Sequence, residues 1–163
     1  MSHAFPLVRA GGLFIGIMGI GVILGGMFAG RRMLLLTLGG IAATTFTILF
    51  ANELTRPLGL PTTMQVRALV GAVLVEALLI GVVVGRFKRA GERPLMLAIL
   101  VAVGIHFLPM AIAFGPLCAA LGAAVVTNGS LGLWVMRRVS LNFFWIIDGL
   151  LKISFGGAML LLA

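Results

Sequence analysis

The chain has 163 residues, 61% of them apolar, with a mean hydropathy of +1.24 and a net charge of +8. So apolar a composition excludes an ordinary water-soluble domain. The basic residues stand in short turns between apolar runs, the pattern of loops facing anionic lipid headgroups, and this excludes a nucleic-acid surface.

A membrane span needs about 20 apolar residues, so the length admits six spans with short connections. Hydropathy places them at 11–30, 33–51, 68–85, 94–114, 117–136 and 141–163. Only helices satisfy their own backbone in lipid at this length. The expected fold is therefore all-α: a single polytopic domain over residues 1–163, with about six transmembrane helices in three hairpins. A five-span arrangement with one re-entrant segment is the structural alternative. The first apolar run is too long for a signal-peptide core and lacks a small-x-small cleavage site, so it reads as the first span.

Lys and Arg fall unevenly between the two ends of the spans. One end holds Arg31, Arg32, Arg86, Lys88, Arg89, Arg93, Arg137 and Arg138; the other holds Arg9, Arg56 and Arg67. The positive-inside bias puts the three basic turns in the cytoplasm and both termini outside it, in a cell's inner membrane. Lipid, with anionic headgroups at the basic turns, is the expected partner, together with a second copy of so small a chain.

In the first span, Gly12 to Gly16, Gly21 to Gly25 and Gly26 to Gly30 form small-x-x-x-small pairs, which let helices approach closely in lipid. Tight packing is the plain reading and a rocking interface the functional one. In the second span, the hydroxyls of Thr44, Thr45 and Thr47 can bond back to the preceding turn. The connection from Asn52 to Arg67 is the long external one, where Thr62 or Thr63 is expected to cap the third helix and an exposed Glu53–Arg56 pair would contribute little.

The third span carries Glu76, about 10 residues or ~15 Å from Arg86 and hence near mid-bilayer. The turn Arg86 to Pro94 reads as a solvated basic loop, with Pro94 opening the fourth helix. In that helix Pro109 cannot donate to the carbonyl of Ile105, so a kink is expected beside His106. The run Gly104-x-His106-Phe107-x-Pro109-x-Ala111, followed by Phe114 and Pro116, resembles a motif of small uncharacterised bacterial multi-helix membrane proteins. The resemblance covers the fourth and fifth spans. It implies the architecture and carries no activity.

The single cysteine, Cys118, cannot form an internal disulfide and reads as a small packing residue. The fifth span is interrupted by Thr127-Asn128-Gly129-Ser130, whose Asn and Ser can bridge helices. Ser130 with His106 as base would resemble intramembrane serine proteases, but their Gly-x-Ser-x-Gly context and second-helix His are absent here.

The sixth span sets Asp148 and Lys152 four residues apart on one helical face. Each charge costs on the order of 3 kcal/mol at mid-bilayer, so a protein-lined or watery interior must hold them. The run Asp148-x-x-x-Lys152-x-x-Phe155-Gly156 is similar to the last helix of microbial rhodopsins, which would imply Lys152 as a retinal Schiff base and Asp148 as its counterion. Six spans instead of seven, no Tyr, only Trp134 and Trp145, and no Arg-x-x-Asp partner helix speak against carrying this over. Glu76, His106 and Asp148 share no helix, so spacing offers no metal site. The nine Met residues are scattered like packing filler. Neither a cofactor nor a metal is expected.

Glu76, His106, Asn128, Asp148 and Lys152 come from four helices at similar depth. Intramembrane ionisable residues face the interior and mark proton or ion routes. One reading is structural: Asp148 and Lys152 neutralise each other and the rest are bystanders. The other is a small proton-linked transporter. In it Glu76 and His106 form the proton pair, Asn128 and Ser130 touch substrate, Asp148–Lys152 is a fixed or switching ion pair, and Pro109 permits rocking. A non-catalytic protein acting through helix packing, and an intramembrane enzyme, are the alternatives.

Overall fold

The computed structural model describes residues 4–162, and among these the regular structure is helical with no strand. Six segments are long and apolar enough to cross a membrane: Val8–Met27, Ala29–Leu49, Thr63–Phe87, Glu92–Phe114, Pro116–Val135 and Leu141–Leu161. We label the helices α1 (Val8–Met27), α2 (Arg32–Leu49), α3 (Ala51–Thr55), α4 (Thr63–Phe87), α5 (Glu92–Phe114), α6 (Pro116–Ser130) and α7 (Leu141–Leu161). Each of the six long segments lies within a few residues of its expected position. Ala163, the last residue of the expected sixth span, lies outside the described residues.

The largest displacement is the start of α4, at Thr63 rather than 68. Thr62 accepts a hydrogen bond from the Gln65 backbone N–H, and the Gln65 side chain accepts one from the Thr62 N–H. This capping box adds a polar first turn, carrying Arg67, ahead of the apolar run. Gln65 also donates to the Ala4 carbonyl at 2.9 Å, tying the N-terminal segment to α4. The short helix α3 occupies part of the long connection that hydropathy leaves unassigned.

α5 is apolar around its whole circumference and is central, burying residues from Leu97 to Phe114 on several faces. α1, α5, α6 and α7 form the packed interior, whereas α2 packs on α1 and α4 on α5, and both are exposed over most of their surface. Lipid tails are as apolar as leucine, so burial here is driven by close van der Waals fit. Glycine supplies that fit. A Cβ on Gly19 would meet the Gly149 carbonyl oxygen at 2.7 Å, and one on Gly104 would meet the backbone N of Val126 at 2.7 Å. The α1–α7 seam uses Gly12, Gly19 and Gly26, every seventh residue, against Gly156, Gly149 and Asn142. The pairs four apart are split between neighbours: Gly12 faces α7, Gly21 faces Gly39 of α2, and the Cβ direction of Gly16 is open.

The three basic turns meet at one end of the bundle. Arg32, only 4% exposed, donates to Glu92 at 2.7 Å, to Asn142 at 2.8 Å and to the Gly25 carbonyl at 3.2 Å, and its guanidinium lies 5.0 Å from the Trp145 ring centre. One side chain thereby joins α1, α2, α5 and α7. Arg93 donates to the carbonyls of Val139 at 2.5 Å and of Gly132 and Met136 at 3.0 Å. The Gly132 carbonyl is available because α6 ends in a π-helical turn, Leu131–Val135, closed by a bond from the Met136 N–H to the Leu131 carbonyl, and Met136 and Val139 lie in the turn that follows. The turn from Arg86 to Pro94, expected to be a solvated basic loop, thus supplies Arg93 as one structural clamp and Glu92 as a partner of the other, Arg32.

Candidate functional site

Between α2 and α4 lies a cavity of about 700 Å³. α2 and α4 form its sides without packing on each other, and α1 and α5 form its floor. Its walls are apolar, with Phe14, Met18, Phe107, Met110 and Phe114 prominent. Five polar or charged side chains from α2, α4, α5 and α7 reach it: Thr44, Thr47, Glu76, His106 and Lys152; Thr55 of α3 also lines it.

Glu76 reaches the cavity because α4 turns one stripe inward: Gln65, Leu69, Ala72, Val73 and Glu76, at three- and four-residue spacing. His106 comes from the buried face of α5. Glu76 Oε2 stands 3.7 Å from His106 Nε2, and the Glu76 side chain is 30% exposed. The other imidazole nitrogen, Nδ1, is 2.6 Å from the Val103 carbonyl oxygen. A carbonyl can only accept, so Nδ1 carries a hydrogen and donates it. In the neutral ring Nε2 is then the bare basic nitrogen, and it is the one facing Glu76. The pair therefore reaches electrical neutrality only with one further proton between them, on the carboxyl oxygen or on Nε2. A separation of 3.7 Å is about 1 Å longer than a direct hydrogen bond.

Lys152 and Asp148 form an ion pair on one face of α7, one turn apart. Their environments differ. Asp148 is wholly buried, and its Oδ1 has no hydrogen-bond partner among the described protein groups. Lys152 lies between Asp148 and the cavity, with its ammonium 5.8 Å from the Phe107 ring centre. The helix-spacing expectation for this pair matches what is seen.

Asn128 and Ser130 lie elsewhere. Asn128 is buried between α6 and α7 and donates to the Phe144 carbonyl at 2.9 Å, and neither residue lines the cavity. Pro109 sits inside a helix that continues to Phe114. Two residues earlier, the Phe107 carbonyl accepts from the Cys118 thiol at 3.5 Å, and Cys118 is fully buried as a packing residue.

Sequence reasoning passed over Thr44 and Thr47, taken as hydroxyls bonded to their own helix. Thr47 lines the cavity, and its buried Oγ1 makes no such bond. The signal was present: Gly40, Thr44, Thr47 and Ile48 trace one helical face that is smaller and more polar than the rest of α2. Among the described residues no three His, Cys, Asp or Glu side chains gather as a metal site would require.

No curated protein and no solved structure matches the chain. A family model does, across residues 1–163. This multi-helix membrane protein belongs to the family described as a family of unknown function, DUF6609.

Proposed function

We propose that the chain is a small proton-linked membrane carrier, with the cavity between α2 and α4 as its substrate site and Glu76–His106 as its proton pair. One observation carries this reading: Glu76, His106 and Lys152, from three different helices, line a single cavity near mid-span. Ionisable groups in a membrane interior are costly, and gathering them at one cavity is the arrangement expected of a proton route. The cavity volume lies within the range of small-molecule sites. The positive-inside bias orients the protein with Arg32, Arg93 and the three turns in the cytoplasm and both termini outside, in the inner membrane of a cell.

The glycines of the α1–α7 and α5–α6 seams are already occupied within one chain, so these seams do not call for a packing partner. The enzyme reading drawn from Ser130 with His106 as base is not favoured, because Ser130 is not among the cavity-lining residues.

The test is proton movement in liposomes holding the purified protein and an internal pH dye. After an imposed pH gradient, in the presence of a panel of small organic cations, anions and neutral solutes, the wild-type protein is expected to move protons faster than protein-free vesicles with at least one of them, and Glu76→Gln and His106→Ala are expected to abolish the difference. Proton flux equal in the wild-type protein and both variants, with all three folded, would remove the reading.

A further inference from the structure

The charges around the cavity determine which ligand it can take. From all the helices bordering it, the titratable groups that reach it are Glu76 on α4, His106 on α5 and Lys152 on α7, with Asp148 behind Lys152. Lys152 is already neutralised by Asp148. Among the described residues, His106 is the ionisable partner within 4 Å of Glu76, and the Nδ1–H···O=C bond leaves that ring facing it with a bare nitrogen. Without its extra proton the cavity holds one uncompensated negative charge.

An anionic ligand would have to take Lys152 from Asp148. Asp148 is 0% exposed and already has one oxygen without a protein partner, so the exchange would leave a buried carboxylate wholly unpaired. A cationic ligand needs only to displace the proton at Glu76. The remaining walls suit a greasy cation. Phe14, Phe107 and Phe114 line it with Met18 and Met110, the Phe107 ring already has the Lys152 ammonium 5.8 Å from its centre, and aromatic faces attract cations most strongly where water is scarce.

We propose that the cavity binds lipophilic monovalent organic cations in exchange for the proton held at Glu76–His106, the cation's charge resting on the Glu76 carboxylate and its apolar body against the phenylalanines. This rests on the cavity's being the substrate site and names the substrate class. Binding and proton release are one event: the O–H or N–H proton leaves for water as the cation arrives, and the charge of the cavity is unchanged.

The test is equilibrium binding of tetraphenylphosphonium to the purified full chain in detergent, with proton release into weak buffer followed by a pH dye. Close to one proton is expected to be released per cation bound. Glu76→Gln is expected to lose at least about tenfold in affinity, and the proton release with it. Against the chance that this variant does not fold, the wild-type protein is also treated with dicyclohexylcarbodiimide, which adds covalently to protonated carboxyls in apolar surroundings. One adduct is expected on Glu76, prevented by tetraphenylphosphonium. The proposal is overturned by no binding, by binding that Glu76→Gln leaves unchanged, by labelling the cation does not prevent, or by preferential binding of oleate through Lys152. If the cation fails while Glu76-dependent proton flux persists, the substrate class is wrong and the carrier reading stands. If both fail, the cavity is not a transport site.

Discussion

Gly12 of α1 and Gly156 of α7 meet backbone to backbone: a Cβ on either would lie 2.6 Å from the carbonyl oxygen of the other. No side chain separates the two helices there. Gly19 and Gly149 repeat the contact two turns along, at 2.7 and 2.6 Å. Alanine at Gly12, Gly19, Gly149 or Gly156 must therefore push the helices apart. Each is expected to cost about 1–3 kcal/mol, read from unfolding by SDS in mixed micelles. Gly16→Ala, whose added carbon meets nothing within 4 Å, is the control and is expected to be near neutral. Equal sensitivity at Gly16 and Gly19 would contradict the seven-residue seam.

Arg31 and Arg32 are adjacent in sequence, yet only Arg32 is buried and bonded to three other helices. Arg32→Ala removes charge-assisted bonds and leaves Asn142 without its donor. A loss of about 2–4 kcal/mol is expected, against less than about 0.5 kcal/mol for the exposed Arg31→Ala. The same SDS titration separates them, and comparable losses at both would show that charge in the turn matters and the clamp does not.

Asp148 and Lys152 should respond unequally to loss of their partner. Lys152→Met strands a carboxylate with no route to water, at a cost of about 3–5 kcal/mol at neutral pH. Asp148→Leu strands an ammonium that borders the cavity and can be hydrated from it, so the loss should be smaller. The double variant, Asp148→Leu with Lys152→Met, should recover most of the stability lost in Lys152→Met. A double-mutant cycle measures this, and strict additivity would mean the two charges do not depend on each other.

Water in the cavity can be probed by thiol labelling. Cys118 is fully buried and should not react with N-ethylmaleimide in the folded protein, which leaves engineered cysteines as clean reporters. Thr44→Cys, on the cavity wall, should react at least about tenfold faster than Leu38→Cys, on the lipid-exposed part of the same helix, because the reactive thiolate forms only where water reaches it. Equal rates would mean that the cavity is dry.

The helices and their hairpin pairing were legible because twenty-residue apolar runs punctuated by arginine admit few other arrangements. The Glu76–His106–Lys152 cluster was legible for a related reason, since charges stranded in such runs have to find one another or water. What stayed hidden depends on rotation about each helix axis. Asn128 looked like a cavity residue because its depth was right, but its helix turns it toward the Phe144 carbonyl. Thr47 looked self-satisfied and faces the cavity instead. Nothing local separates Arg31 from Arg32, or predicts that Arg93 serves carbonyls in and just after a π-helical turn. Glycines four apart suggested one seam, whereas their side-chain directions distribute them over several helices.

The Arg32 clamp also bears on the order of events as the chain is made. Its partners Glu92 and Asn142 lie 60 and 110 positions further along. A ribosome therefore delivers the guanidinium with the Gly25 carbonyl at hand but long before its two side-chain partners. The first hairpin must wait with that charge held among the headgroups and its glycine face against lipid, until α7 is inserted and fills both vacancies. Closure of the bundle is thus a late step that joins the first span to one made much later, and a nascent chain lacking α7 should be an easy target for quality-control proteases.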